Sequence, residues 1–113
     1  MNPSEKENKI FVYGLLRTSE GLDDAIKCNN VFVVERSFPA VVGVDKGERL
    51  FYGQVLTVDD NTLQRFDQIE NVPHLYRRIK TETLLGVSAW IYEFNIEMQS
   101  KRLLEIWPYN KWI

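Results

Sequence analysis

The sequence contains a compact apolar run, Ile10-Phe11-Val12-Tyr13, which ends at Gly14. Four consecutive apolar, β-prone residues bounded by glycine are typical of a strand that is buried on both faces. We therefore predict a central strand over residues 10–13. The polar residues 1–9 before it are predicted to be a flexible leader, and residues 10–113 a single domain.

Two further strands are predicted in the first half of the domain. Residues 31–38 are rich in valine and phenylalanine, and Pro39 is expected to end their strand because proline cannot donate to a ladder. Residues 45–48 carry a turn signal, and residues 50–58 form the next strand. Gly53 inside that strand indicates a bulge, a bend or a close approach of another backbone.

The second half combines a helix with a hairpin. Asp59-Asp60-Asn61 supplies N-cap chemistry for a helix over about residues 60–70. Residues 76–84 and 87–94 are two closely spaced β-rich runs, which predict a hairpin. Two weaker short helices are predicted, one after Gly21 on Leu22, Ala25 and Ile26, and one over residues 96–106.

These elements predict the α+β class, with a mainly antiparallel or mixed sheet that is able to curl into a small barrel. The doubly wound nucleotide-binding class is excluded, because neither of its glycine-rich phosphate motifs is present.

The 14 basic and 16 acidic residues give a net charge of −2, which argues against a general nucleic-acid binder. No apolar run approaches the ~20 residues that a membrane span needs. With one Cys and one His in 113 residues, a disulfide within the chain and a structural zinc cluster are excluded, and a cytoplasmic protein is expected.

One carboxylate in the predicted helix lies on the apolar face. Leu63 and Phe66 define the stripe that faces the core, and Glu70 lies within about 20° of Leu63 around the helix axis. Burial raises the pKa of a carboxyl group, which suits general acid–base chemistry near neutral pH. The alternative is a frayed helix end, at which Glu70 meets water or pairs with Arg77 or Arg78.

Other candidate residues have simpler explanations. Asp67 could form a two-carboxylate site with Glu70, although local capping or pairing fits it better. His74 has no triad context and is expected to face solvent, and Cys28 is expected to be a structural thiol. Trp107, Tyr109 and Trp112 predict either a hydrophobic latch or, if they are exposed, a partner interface.

Two segments carry a family resemblance: FVYGLLR at residues 11–17 and FDQIENVPHLYRR at residues 66–78. With SFPAVVG, FYGQVLTV and AWIYEF between and after them, their order and spacing resemble the gamma-glutamylcyclotransferase-like family. The resemblance covers about residues 10–94. It implies a small β-barrel with short peripheral helices.

The resemblance also implies a reaction. Family enzymes release a γ-glutamyl group as 5-oxoproline, when the α-amine of the glutamyl unit attacks its own γ-carbonyl. By motif position, Glu70 is the residue that relays the proton to the leaving nitrogen. No metal and no cofactor are expected, because the attack is intramolecular.

The implied substrate site is the loop that follows the first strand, formed by Tyr13, Gly14, Leu15 and Leu16, together with Tyr76. Backbone N–H groups of such a loop can bind an anion, here the α-carboxylate or the oxyanion. Supporting roles are expected for Arg17, Pro39 and Arg78. Leu15 departs from the family pattern, because Ser or Thr is usual at its position.

Three functions therefore remain open. The first is a cyclotransferase acting on a small γ-glutamyl amine or γ-glutamyl amino acid, with hydrolysis by water as a chemical variant. The second is a catalytically silent protein that binds a γ-glutamyl or other small anionic metabolite, which Leu15 favours. The third is an interaction protein that uses its aromatic C-terminus. The expected partner is a small-molecule substrate rather than nucleic acid or membrane, and the expected state is a monomer or weak homodimer.

Overall fold

Strands dominate the fold. The computed structural model describes residues 7–13, 21–34, 38–97 and 105–106. Within these residues the elements are, in chain order, β1 (Asn8–Val12), β2 (Leu22–Val34), β3 (Phe38–Val44), β4 (Arg49–Val58), α1 (Asp60–Ile69), β5 (Tyr76–Glu82), β6 (Ser88–Phe94) and β7 (Glu105–Ile106).

The described strands form one seven-stranded mixed sheet. Its order is β3-β2-β4-β1-β6-β5, with β7 paired to β2. The pairing of β1 with β6 is parallel, whereas the other pairs are antiparallel. Because β3 packs back against β6, the sheet curls into a nearly closed barrel. The predicted α+β class and barrel are confirmed, with one short helix in the described part of the chain.

The central strand is buried on both faces, as predicted. Ile10 and Phe11 are completely buried and Val12 is 1% exposed. Phe11 belongs to the apolar cluster on one face of the sheet, and Ile10 and Val12 to the cluster on the other. Leu63 of α1 covers this second cluster. Of the three alternatives given for Gly53, the structure shows the close approach, because a Cβ there would lie 2.4 Å from the carbonyl oxygen of Val12.

The predicted short helix after Gly21 is wrong, because this segment belongs to β2. It pairs with β4 from Leu22 opposite Val55 to Cys28 opposite Arg49. The ladder with β4, rather than the burial pattern, defines this strand, since Asp24, Ala25 and Ile26 are all buried.

Pro39 lies near the start of a strand rather than after its end, so the predicted strand over residues 31–38 is wrong at its C-terminal end. The strand β2 ends at Val34, β3 begins at Phe38, and Val33 lies opposite Pro39. Since β3 is the end strand of the described order, it tolerates the missing N–H of a proline.

The predicted helix over residues 96–106 is wrong at both of its ends. Ile96 and Glu97 form a turn, and Glu105 and Ile106 pair with Val33 and Phe32 of β2. The residues between them, and the aromatic group of Trp107, Tyr109 and Trp112, lie outside the described residues. The leader residues 1–6 also lie outside, and β1 begins at Asn8, two residues earlier than predicted.

Candidate active site

The helix α1 places Glu70 through well-defined ends. The Asp59 side chain caps its start, accepting a hydrogen bond from the backbone N–H of Thr62 at 2.7 Å. At the other end, the N–H groups of Asn71 and Val72 donate to the carbonyls of Gln68 and Asp67 at 3.1 and 3.0 Å. Asn71 has the positive φ of 53° that this helix-ending motif requires.

Glu70 is the C-cap residue of this helix and is half-buried. Removal from water raises the pKa of its carboxyl group from 4.5 to about 7. Arg77 and Arg78, the alternative partners, bind other carboxylates: Arg77 lies 2.6 Å from Glu93 and Arg78 lies 2.8 Å from Asp67. Glu70 can therefore exchange a proton near neutral pH.

Tyr13, at the end of β1, lies close to Glu70. Its hydroxyl donates to the backbone carbonyl of Tyr92. Burial raises the pKa of the Tyr13 phenol well above its usual value, and the neighbouring Tyr76 and the Glu70 carboxylate raise it further. The structure thus brings together three residues that the sequence analysis singled out: Tyr13, Glu70 and Tyr76.

Tyr76 and Pro39, two further predicted site residues, contact each other. The Tyr76 hydroxyl donates to the Pro39 carbonyl at 3.2 Å, and the Tyr76 ring packs edge-on against Phe94, with 5.7 Å between the ring centroids. Both residues are buried. The loop residues Gly14, Leu15, Leu16 and Arg17 lie outside the described residues.

Asp67 joins the helix to the β5–β6 hairpin. Its Oδ1 accepts from the Arg78 Nε and from the Tyr92 hydroxyl, each at 2.8 Å. The Arg78 guanidinium also lies over the Trp90 ring, 4.3 Å from its centroid. Asp67 is paired, as expected, but its partners lie 11 and 25 residues along the chain rather than locally.

The remaining candidates are Cys28 and His74. Cys28 is buried, and burial raises the pKa of its thiol to about 11, so that it is protonated near neutral pH. His74 is exposed, as predicted.

Among the described residues, no group of three or more His, Cys, Asp or Glu side chains is arranged to hold a metal ion. No helix in that part of the chain has the length and apolar character to cross a membrane.

Tyr92 is the site residue that the sequence analysis missed. Its side chain is 2% exposed, and it contacts Asp67 through its hydroxyl and Tyr13 through its carbonyl. The available signal was a tyrosine between Trp90 and Phe94 on one face of a strand, because a buried phenol needs a hydrogen-bond partner. The sequence does not say which residue that partner is.

Comparisons with known proteins agree on one family. The family described as "Gamma-glutamyl cyclotransferase, AIG2-like" matches residues 10–113. A Vibrio cholerae protein named "Putative gamma-glutamylcyclotransferase" is 31% identical over 114 residues, covering 94% of this chain and 96% of its own. "Gamma-glutamylaminecyclotransferase A" of Danio rerio is 29% identical over 87 residues, covering 61% and 54% of the two chains. The crystal structure of an AIG2-like protein from Mus musculus matches with a TM-score of 0.64 at 21% identity, covering 79% and 78%.

Proposed function

The chain belongs to the gamma-glutamyl cyclotransferase, AIG2-like family, and we propose that it releases 5-oxoproline from a small γ-glutamyl amine or γ-glutamyl amino acid. The α-amine of the glutamyl unit attacks its own γ-carbonyl carbon, forming the lactam C–N bond. The C–N bond to the leaving amine breaks. Glu70 accepts a proton from the attacking nitrogen and returns it to the leaving nitrogen.

One observation carries this proposal: Glu70 is a half-buried carboxyl group whose pKa burial raises to about 7. A group that titrates near the working pH both accepts and returns a proton readily. The position of Glu70 beside Tyr13 supports the assignment, because the predicted anion-binding loop begins directly after Tyr13.

The remaining substrate contacts follow from the family motif. We assign the backbone N–H groups of Gly14, Leu15 and Leu16 to the α-carboxylate or oxyanion of the substrate. Tyr76 lines the pocket, and its bond to Pro39 holds it in place. The reaction requires no cofactor, since attacking group and leaving group belong to one molecule. The one cysteine, Cys28, is a buried free thiol, which fits the cytoplasmic location that we also propose.

The test uses purified protein and a panel of γ-glutamyl amines and γ-glutamyl peptides, with 5-oxoproline detected by mass spectrometry. We expect product from the parent protein and a loss of about two orders of magnitude or more in Glu70→Gln. Glu82→Gln is the matched control, because its carboxylate is exposed on β5. Undiminished product from Glu70→Gln would remove Glu70 from the mechanism, and glutamate in place of 5-oxoproline would show hydrolysis.

A second function is favoured by Leu15, which stands where the family usually has Ser or Thr. If the missing hydroxyl were needed for turnover, the protein would bind a γ-glutamyl or other small anionic metabolite without converting it. In that case no 5-oxoproline forms, while calorimetry detects binding of a γ-glutamyl amine. Appearance of product in Leu15→Thr would then identify the missing hydroxyl as the cause.

A further inference from the structure

Tyr92 forms hydrogen bonds to two parts of the candidate site, the end of α1 and the end of β1. One bond uses its side chain and the other its backbone. Its hydroxyl donates to Asp67 Oδ1 at 2.8 Å, which ties β6 to the last turn of α1. Its backbone carbonyl accepts from the Tyr13 hydroxyl, which ties β6 to the end of β1. Tyr92 is nearly completely buried, and its bond to Asp67 lies at the partly exposed end of that contact.

The Asp67 end of this connection directly supports Glu70. Asp67 lies three residues before Glu70, and its own carbonyl accepts the N–H of Val72 in the motif that ends the helix. A carboxylate that accepts from Arg78 and Tyr92 at once is held by charge-assisted bonds on two strands. The position of this helix turn relative to the sheet therefore depends on the bonds that Asp67 makes.

The Tyr13 end reaches the strand that leads into the predicted anion-binding loop. Glu70 lies close enough to both Tyr13 and Tyr92 for its charge to act on each phenol. The Glu70 charge thus acts on Tyr13, directly after β1, and on Tyr92 of β6. Tyr76 and Glu93 also act on Tyr13, and Asp67 and Arg78 also act on Tyr92.

We infer that Tyr92 is a positioning residue, which sets the Glu70 carboxyl relative to the end of β1 by binding Asp67 with its hydroxyl and Tyr13 with its carbonyl. As a statement about catalysis, this inference rests on the proposed function. Tyr92 does not exchange protons with substrate, because its hydroxyl is committed to Asp67. Its effect on turnover passes through the placement of Glu70, to which an intramolecular attack is sensitive.

The test is Tyr92→Phe, which keeps the buried ring and removes only the bond to Asp67. We expect kcat for 5-oxoproline release to fall about tenfold or more, while KM stays within about twofold. Tyr52→Phe is the matched control, because Tyr52 lies on β4 and is 41% exposed. Unchanged kcat in Tyr92→Phe would overturn the inference, as would a matching loss in Tyr52→Phe.

A second readout does not require turnover. The Glu70 carboxyl carbon is followed by NMR against pH in 13C-labelled protein, and Glu70→Gln identifies its signal. When the helix end loosens, water reaches Glu70, so we expect its titration midpoint to fall by about half a pH unit or more in Tyr92→Phe. A residue with a merely structural role would lower the free energy of unfolding and leave this midpoint unchanged.

The two readouts separate the inference from the proposed function. If the parent protein forms no 5-oxoproline, the proposed function fails, and the Glu70 midpoint alone decides whether Tyr92 positions the carboxyl group. If Tyr92→Phe does not fold, Asp67→Glu replaces it, because it keeps the negative charge and displaces the acceptor of the same bond at a partly exposed helix position. Asp67→Glu is expected to lower the midpoint likewise, and an unchanged midpoint would overturn the inference.

Discussion

Replacing Glu70 by Gln is expected to stabilise the protein at alkaline pH and to have little effect in acid. Burial raises the pKa of Glu70 from 4.5 to about 7. Between these values the folded state holds a proton that the unfolded state has released, so stability falls as pH rises through this window. Below the window the penalty is absent, and above it the penalty is complete.

The size of this penalty follows from the pKa change. At about 1.4 kcal/mol for each tenfold change in the ionisation constant, the raised pKa corresponds to about 3 kcal/mol. Because Glu70 is only half-buried, solvent screening reduces this to about 2 kcal/mol. Glutamine has the shape of the protonated acid and does not ionise, so the variant avoids the penalty at every pH.

The assay is urea unfolding of the parent protein and Glu70→Gln at pH 4.5 and pH 8, followed by tryptophan fluorescence. Comparing the two proteins at each pH cancels the titration of all other groups. We expect the variant to gain about 2 kcal/mol more at pH 8 than at pH 4.5. Glu82→Gln, at an exposed carboxylate, serves as the control and should show no such difference. An equal effect of Glu70→Gln at both pH values would refute the claim that burial raises the Glu70 pKa.

Three further predictions test the site and the fold. The kcat/KM for 5-oxoproline release should rise with pH through an apparent pKa of about 7, since only ionised Glu70 accepts the proton; a flat profile between pH 5 and pH 9 would contradict this. Gly53→Ala should lower the free energy of unfolding by about 2 kcal/mol or more, because its Cβ would lie 2.4 Å from the Val12 carbonyl oxygen; urea unfolding equal to that of the parent would show that β4 can shift. Asp59→Ala should lower the urea midpoint in the same assay by removing the helix cap, whereas Asp59→Asn should keep most of the parent's stability.

The elements that sequence reasoning predicted correctly have local signals. Asp59 caps its helix by accepting from a backbone N–H only three positions later. The strand β1, which is buried on both faces, shows in the sequence as consecutive apolar residues. The start of β2 was mistaken for a helix because Leu22, Ala25 and Ile26 have helical spacing. Pairing with β4, some thirty residues later in the chain, decides its conformation instead.

In the candidate site, too, only the residue with a local sequence signal could be predicted. Glu70 stands out because helical periodicity places it on the face of Leu63, and that periodicity is a local property. Tyr92 does not stand out, since its partner Asp67 lies 25 residues earlier in the chain. A buried phenol shows that a partner is needed, whereas only the folded chain shows that the partner is Asp67.

The candidate site lies where β3 meets the opposite side of the barrel. Two side chains bind the β3 backbone: Tyr76 donates to Pro39, and the Glu93 carboxylate accepts from Val44 at 2.9 Å. In the described sheet, β3 shares its ladder with β2 and not with β5 or β6. A continuous ladder would occupy the backbone groups that these side chains now bind. Side-chain bridges instead leave Tyr76 beside Tyr13, on which the Glu70 charge also acts, and Glu70 is buried enough to raise its pKa yet stays partly exposed. A carboxyl group that relays a proton to a bound substrate needs both a raised pKa and an accessible position.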